Sequence, residues 1–166
     1  TLPIFSQNMK YSVFFDVPAA LIEIIFKIEE SKKYFEMRHF LNFFIFFLSS
    51  VFFYKILSNR FSNENVSLIG LVFYILSPKI YGASFYNNKD IIFLSVLVIS
   101  IYYFFKAIDR LEYKNIILLS STLAIATTFR IVGILFPLLF VIFYFFSIIS
   151  KKGDLVFLPK IIFFTF

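Results

Sequence analysis

The sequence has no cysteine, a single histidine, and only 4 glycines and 5 prolines in 166 residues. The absence of cysteine excludes disulfides, thiolate metal ligands and cysteine nucleophiles within this chain. Because His39 is the one histidine, a metal site built from several histidines is also excluded. Chemistry in these 166 residues must therefore rest on carboxylates, amides, hydroxyls and cations.

Apolar side chains dominate what is present. The chain is 60% hydrophobic, contains 28 Phe and 10 Tyr, and has a mean hydropathy of +0.88. Soluble domains average about 45–50% apolar residues, so a soluble domain of this length could not bury so much apolar surface. We therefore expect an integral membrane protein with an all-α fold, a polytopic transmembrane helix bundle. The net charge of +6 comes from cations scattered between apolar runs, which indicates membrane topology and not nucleic-acid binding.

The chain divides into an amphipathic segment, 1–37, and a transmembrane helical domain, 38–166. In the first segment apolar residues recur near helical spacing and charges interrupt them, which is typical of a helix in the membrane interface. The alternative is a soluble-loop helix packed on the membrane domain. In the second segment we predict spans at about 40–57, 66–86, 91–106, 116–130 and 131–150, then a run too short to span, 161–166. That truncated run and the absence of an initial Met predict an internal piece of a longer protein.

The stretch 77–92, SPKIYGASFYNNKDII, is where polar and charged residues crowd between two apolar runs. The run before it, 66–76, would form only ~17 Å of helix, whereas the hydrocarbon core is ~30 Å thick. Residues 78–86, an earlier start of the helix or a water-filled recess must supply the missing depth, and we expect this stretch to line a cavity. The alternative is an ordinary solvated turn in which Asp90 is the N-cap of the next helix.

The cations are distributed unequally between the two sets of loops. One set holds only Lys79, Lys89 and Arg130. The positive-inside rule places the other set in the cytoplasm; it comprises Lys55, Arg60, Lys106, Arg110, Lys114, Lys151, Lys152 and Lys160. The N-terminal segment, the stretch 77–92 and Arg130 would then share the non-cytoplasmic surface. In a bacterium this is the periplasmic, outer side of the inner (plasma) membrane.

Residue types on that surface are suited to an anion. Arg130 could hold a phosphate with two hydrogen bonds, and Lys79 and Lys89 could act as point charges. Asn87 would lie nearby. Asp90 could act as a general base, orient an acceptor or bind a metal together with phosphate. It could equally form an ion pair without a catalytic role.

Three segments in order resemble those of polytopic C-type glycosyltransferases (GT-C), enzymes similar to the dolichyl-phosphate-mannose protein mannosyltransferases. The stretch SPKIYGASFYNNKDIIFL resembles the motif that follows the third membrane helix in many of them. MRHFLNFF looks like the opening of their second helix, and ATTFRIVGILF resembles a later segment containing arginine and glycine. With the same apolar intervals between them, these matches extend over nearly the whole chain.

Individual residues of these three segments either match or differ from those usual in the C-type glycosyltransferases. Lys79 stands where arginine is usual, Ala83 where histidine is usual, and Asn88 and Ile92 where proline is usual. Such enzymes carry an essential acidic residue in the first outer loop. We expect that residue to precede this chain, because Asp16 looks like a later, non-catalytic position. The matches are Pro78, Gly82, Asn87, Lys89, Asp90, Arg38, His39, Asn42, Arg130 and Gly133.

The resemblance implies transfer of a sugar from a polyprenyl-phosphate carrier to a lipid or protein acceptor on the non-cytoplasmic face. Asp90 would be a catalytic residue of this fragment, and Lys89, Arg130 and Lys79 would bind the carrier phosphate. Asn87, Arg38 and His39 would support them. No cofactor is required with certainty, although a divalent metal is compatible. The expected partners are the lipid-linked sugar donor, the acceptor and membrane lipids, without nucleic acid.

Two other functions are compatible with the same residues. The first is a transporter or flippase for an anionic lipid or solute, which uses the same cations and a broken helix at mid-depth. The second is a non-catalytic membrane subunit in which Lys89 and Asp90 form a structural ion pair.

Overall fold

A computed structural model describes residues 13–61, 63–109 and 112–152. Within these ranges every regular element is a helix, which confirms the all-α prediction. A short 3₁₀ helix, Ile131–Ile134, connects the last two α-helices. The predicted run 161–166, loop residue Arg110, Lys160 and residues 1–12 of the predicted interfacial segment lie outside the described residues. The α-helices are α1 Val13–Ile25, α2 Ser31–Arg60, α3 Glu64–Leu76, α4 Pro78–Tyr86, α5 Asp90–Asp109, α6 Tyr113–Phe129 and α7 Leu135–Lys152.

Two of these helices, α2 and α5, are long and apolar enough to cross a membrane. Their 30 and 20 residues correspond to about 45 and 30 Å of helix. A third crossing is formed if α3 and α4, which are bent by 57° at Ser77, are taken together. The stretch 78–86 is therefore helical and extends α3 with a change of direction. That it lines a cavity, and where each span begins and ends, stay predictions.

The directions of the helices follow from their contacts. Leu41 of α2 packs against the buried cluster that contains Ile92 at the start of α5, and the Phe52 and Tyr102 rings are 5.2 Å apart further along. These two helices therefore run side by side in the same direction. Gly70 of α3 faces Leu57 near the end of α2, and Tyr74, later in α3, is hydrogen-bonded to Ser49, earlier in α2, so α3 runs in the opposite direction. The starts of α2 and α5 and the ends of α4 and α6 then lie together; we call this the upper end of the bundle.

Serines are among the most buried residues of the helices. Among the residues whose burial the structure describes, six serines are at most 3% exposed. Four of them donate hydrogen bonds to carbonyls of their own helix and so bring no unpaired hydroxyl into the bundle. In lipid, where helix association lacks a hydrophobic driving force, small residues stabilise packing by allowing close approach. The six are Ser49, Ser50, Ser67, Ser84, Ser95 and Ser100.

One amide fixes the position of α4. Asn42 of α2 is 1% exposed, and its Nδ2 donates to the Ser84 carbonyl of α4 at 2.8 Å. Because α4 departs from the axis of α3 by 57°, this hydrogen bond stabilises the bend by tying the second half of the pair to α2.

Replacing Asn42 with alanine should therefore destabilise the bundle by about 1–3 kcal/mol, since the buried Ser84 carbonyl loses its donor. The measurement is thermal unfolding of the intact protein in detergent. Asn59→Ala is the matched control, because Asn59 lies on the same helix and is exposed. Equal midpoints for the two variants would show that the Asn42 hydrogen bond does not hold α4.

Candidate functional site

The upper end contains a sharp corner between α4 and α5, and Asn87 forms it. Asn87 follows the last residue of α4, and its Oδ1 accepts a hydrogen bond from the Asp90 N–H at 3.0 Å. Its backbone carbonyl accepts from the Ile91 N–H at 3.2 Å. Both interactions are those of an N-cap residue. The alternative prediction that Asp90 caps α5 is therefore wrong, because Asn87 takes that role and leaves the Asp90 carboxylate available.

The Asp90 carboxylate joins this corner to the end of α6. Its Oδ2 accepts from Asn87 Nδ2 at 3.1 Å, and its Oδ1 accepts from Nη2 of Arg130. The Asp90 and Arg130 side chains are 45% and 43% exposed, so the pair lies at the surface of the bundle. The alternative of a structural Lys89–Asp90 pair is not what the structure has, because the ion-pair partner of Asp90 is Arg130. We call Asn87, Lys89, Asp90 and Arg130 the corner site.

The backbone around Arg130 is fixed by a break in the helix. α6 ends at Phe129, and Arg130 is extended, with φ −144° and ψ 133°. The Gly133 N–H donates to the Arg130 carbonyl at 2.8 Å and closes a turn. A Cβ on Gly133 would lie 2.9 Å from Thr127 Cα and 3.0 Å from the Ala126 carbonyl oxygen. This turn therefore needs glycine, because it packs directly on the backbone of the last turn of α6.

The corner site carries more positive than negative charge. Lys89 is exposed beside Asp90, and Arg130 is half-exposed, so two cations accompany one carboxylate. A guanidinium has five N–H donors, and only Nη2 of Arg130 is directed to Asp90 in the described residues. An exposed ion pair adds only about 0–1 kcal/mol to stability. The main effect of the pair is therefore to orient Arg130 with donors still available to an anion.

Arg38, predicted as a supporting residue of the site, instead forms ion pairs with α1. Its Nη1 donates to Asp16 and its Nε to Glu23, both at 2.9 Å, and its guanidinium lies 4.6 Å from the centre of the Tyr34 ring. The side chain is 18% exposed. Arg38 therefore joins α1 to α2. Sequence reasoning missed these two acidic partners, although their seven-residue spacing places them on one face of a helix.

The other predicted residues are more distant from the corner site. Lys79 is exposed in the first turn of α4, about 12 Å of helix from Asn87. His39 is exposed in the third turn of α2. Within the described part of the chain, no hydrogen bond or ion pair joins either side chain to Asp90 or Arg130. In the same residues, no group of three His, Cys, Asp or Glu side chains is placed to hold a metal ion. The compatible divalent metal stays a prediction.

Comparison with known proteins identifies the family. The family model for dolichyl-phosphate-mannose-protein mannosyltransferases matches residues 16–165. The chain belongs to this family. The match includes the whole corner site and both acidic partners of Arg38, and it confirms the resemblance stated above. No curated protein and no solved structure matches the chain significantly.

Membership of the mannosyltransferase family makes the chain part of a membrane glycosyltransferase of the GT-C type. It agrees with the apolar helices, which indicate an integral membrane protein. The matched region begins at Asp16, one residue after the buried Phe15. The essential outer-loop carboxylate that we expect before this chain stays a prediction.

Proposed function

We propose that this protein transfers a sugar from a polyprenyl-phosphate carrier to a lipid or protein acceptor on the non-cytoplasmic face of the membrane. The observation that carries the proposal is Arg130, held by Asp90 at the upper end with most of its donors still available. A carrier phosphate is the anion that such a site would meet in a membrane glycosyltransferase.

In the proposed reaction the acceptor hydroxyl attacks the anomeric carbon of the sugar. A new carbon–oxygen bond forms there as the bond to the carrier phosphate breaks. The electron pair leaves with the phosphate, whose negative charge grows in the transition state. Arg130 and Lys89 would stabilise that charge, which is the kind of interaction that accelerates a reaction most. The acceptor proton would go to the outer-loop carboxylate expected upstream.

Asp90 would serve this reaction by orienting its neighbours. Both of its carboxylate oxygens already accept hydrogen bonds, one from Asn87 and one from Arg130. A carboxylate that is paired with a guanidinium is a weaker base than a free one, because the pairing stabilises its charged form. We therefore propose that Asp90 keeps Arg130 directed at the carrier phosphate and keeps the start of α5 in place. Asp90 would then contribute to catalysis by aligning Arg130 with the carrier phosphate.

The proposed side of the membrane follows from the cations at the opposite end of the bundle. Lys55, Lys106 and Lys114 lie near the ends of α2 and α5 and the start of α6, away from the corner site. The positive-inside rule would place that end in the cytoplasm. The corner site would then face the periplasm if the membrane is a bacterial inner membrane.

The test is release of sugar from a radiolabelled polyprenyl-phosphate mannose by membranes that contain the intact protein. We expect Lys89→Ala and Asp90→Ala each to lower turnover roughly tenfold or more at unchanged expression, because each weakens the contact to the phosphate. Lys114→Ala is the matched control, since Lys114 is exposed at the opposite end. Normal turnover in both corner variants would contradict the proposal. Absence of transfer by the unaltered protein with several sugars would favour transport of an anionic lipid.

A further inference from the structure

The end of α4 lies against the side chains of two adjacent residues of α2. Asn42 Nδ2 donates to the Ser84 carbonyl at 2.8 Å, and both residues are buried. Next to this hydrogen bond the Phe43 ring stacks on the Phe85 ring, with centres 5.1 Å apart and 7° between the planes. The two contacts together fix the last turn of α4, which is the turn that leads into the corner site.

The Ser84 carbonyl is one of those that α4 itself leaves without a donor. In an α-helix each carbonyl accepts from the N–H four residues later, and the last four carbonyls lack such a partner. The Asn87 N–H makes the last regular hydrogen bond of α4, whereas the Asn88 N–H donates to the Tyr86 carbonyl at 3.2 Å. The N–H that would continue α4 is therefore not bonded to Ser84, and Asn42 Nδ2 takes its place.

The place where α4 ends decides whether the corner site can form. Asn87 has left the helical conformation, with φ −93° and ψ 80°, and its Oδ1 caps α5. Its Nδ2 donates to Asp90, which also accepts from Arg130. A hydrogen bond from the Asn88 N–H to the Ser84 carbonyl would require Asn87 to be helical. A helical Asn87 could not cap α5, because an N-cap residue has non-helical φ and ψ.

We propose that Asn42 is a positioning residue of the corner site: its amide occupies the Ser84 carbonyl and so ends α4 where Asn87 can cap α5. The effect on turnover rests on the sugar-transfer reaction proposed above, whereas the effect on α4 does not. Asn42 Oδ1 accepts no hydrogen bond from the residues that the structure describes, so the donor is the half of the amide that acts on α4. One series of hydrogen bonds thus connects α2, through α4 and α5, to Arg130.

The first test is backbone hydrogen exchange of the intact protein with Asn42→Leu, since leucine is similar in size and has no donor. The Phe43–Phe85 stack still holds α4 beside α2. The Asn88 N–H should then bond to Ser84, at the expense of the cap on α5, and α4 should lengthen. Exchange resolved at residue 88 by mass spectrometry with fragmentation should become several-fold slower. A loss of stability alone acts in the opposite direction, because it speeds exchange.

The second test uses proline at position 88 to separate positioning from stability. With Asn87 as the cap, Asn88 is the first residue of the capped helix, where proline is favoured. Proline has no N–H and cannot continue α4 to Ser84. Asn42→Leu alone should lower turnover of polyprenyl-phosphate mannose about tenfold, because Arg130 is misaligned. Asn88→Pro alone should stay close to native, and the double variant should recover most of the turnover while its unfolding temperature stays low.

Ser50→Ala is the matched control, because Ser50 is a buried polar residue of α2 whose hydroxyl donates to Phe47 of the same helix. It should change neither turnover nor exchange at Asn88. Unchanged or faster exchange at Asn88 in Asn42→Leu would overturn the role of Asn42 in ending α4. Native turnover in Asn42→Leu, or a double variant as slow as Asn42→Leu, would overturn its positioning role. If the unaltered protein transfers no sugar, the proposed function fails instead, and the exchange result still decides whether Asn42 ends α4.

Discussion

Replacing Arg130 with glutamine should lower the rate of sugar transfer by about 100-fold or more while the protein stays folded. The guanidinium is the proposed partner of the departing phosphate, whose negative charge is larger in the transition state than in the bound donor. The turnover number should therefore fall more than the KM rises. Folding should be preserved, because the Asp90–Arg130 pair is nearly half-exposed and such pairs add about 0–1 kcal/mol to stability. The measurements are steady-state transfer from a polyprenyl-phosphate sugar and thermal unfolding of the same preparation.

Two further variants separate charge from geometry at this position. Arg130→Lys keeps the charge and loses the fork-shaped donor set, so its rate should lie between those of the native protein and Arg130→Gln. Lys55→Gln removes an exposed cation at the opposite end of α2 and should leave the rate unchanged. Equal rates in native protein and Arg130→Gln would remove Arg130 from the reaction.

A methyl group at Gly133 should have the second-largest effect. In Gly133→Ala the new Cβ meets Thr127 Cα at 2.9 Å and the Ala126 carbonyl oxygen at 3.0 Å, and these backbone atoms cannot move aside cheaply. Overpacking of this kind costs about 1–3 kcal/mol. The turn that closes on the Arg130 carbonyl must shift, so the guanidinium should lose its alignment with Asp90. We expect a lower unfolding temperature together with a loss of transfer.

The control for this variant is Gly82→Ala. Gly82 is in α4, and a Cβ added there meets nothing within 4 Å. Alanine is also a better helix former than glycine, so the unfolding temperature should stay the same or rise. If Gly133→Ala were as stable as Gly82→Ala, the close approach at the end of α6 would not constrain Arg130.

The helices were predictable because lipid imposes a simple rule on composition. The Phe-rich run in α2 and the apolar run in α5 are long, and in lipid such runs become helices because every backbone polar group must be satisfied internally. The association of Arg130 with Gly133 indicated a break between two apolar runs, and α6 ends there. These features depend on residues that are close together in the chain, so they could be predicted from the sequence.

The details of the corner site depend on tertiary contacts. The sequence indicated Asp90 as the cap of α5, whereas Asn87 caps it, because the end of α4 places the Asn87 side chain against the first turn of α5. Pro78 is well suited to the first position of a helix, and α4 does begin there, but the 57° bend also depends on Asn42 from another helix. The distribution of cations between the loops predicted Lys79 and Asp90 on the same surface. Because α4 is helical, Lys79 is separated from Asn87 by about 12 Å of helix.

The acidic partners of Arg38 illustrate the same limit. Amphipathic spacing indicated that α1 is a helix with two faces. It did not indicate which face turns inward, because charges usually face water and apolar side chains usually face protein. Only the docking of α1 across α2 gives Asp16 and Glu23 a shared cation and reverses that expectation. The role of Arg38 could therefore not be predicted from the sequence, because it depends on which helix packs across α2.

The bend at Ser77 also changes the footprint of the protein in the plane of the membrane. With an angle of 57°, the nine residues of α4 add only ~7 Å along the axis of α3 but reach ~11 Å sideways. The α3–α4 pair therefore extends ~27 Å along the axis of α3, slightly less than the ~30 Å length of α5; if the pair crosses the membrane as one span, a mismatch of a few ångströms costs little. Because of this sideways displacement, Asn87 lies beside the start of α5, and α4 and α5 need no long loop between them. If α3 and α4 formed one straight helix, it would extend further along the axis of α3 and would not reach sideways. Its last residue would then lie about one helix diameter from the start of α5.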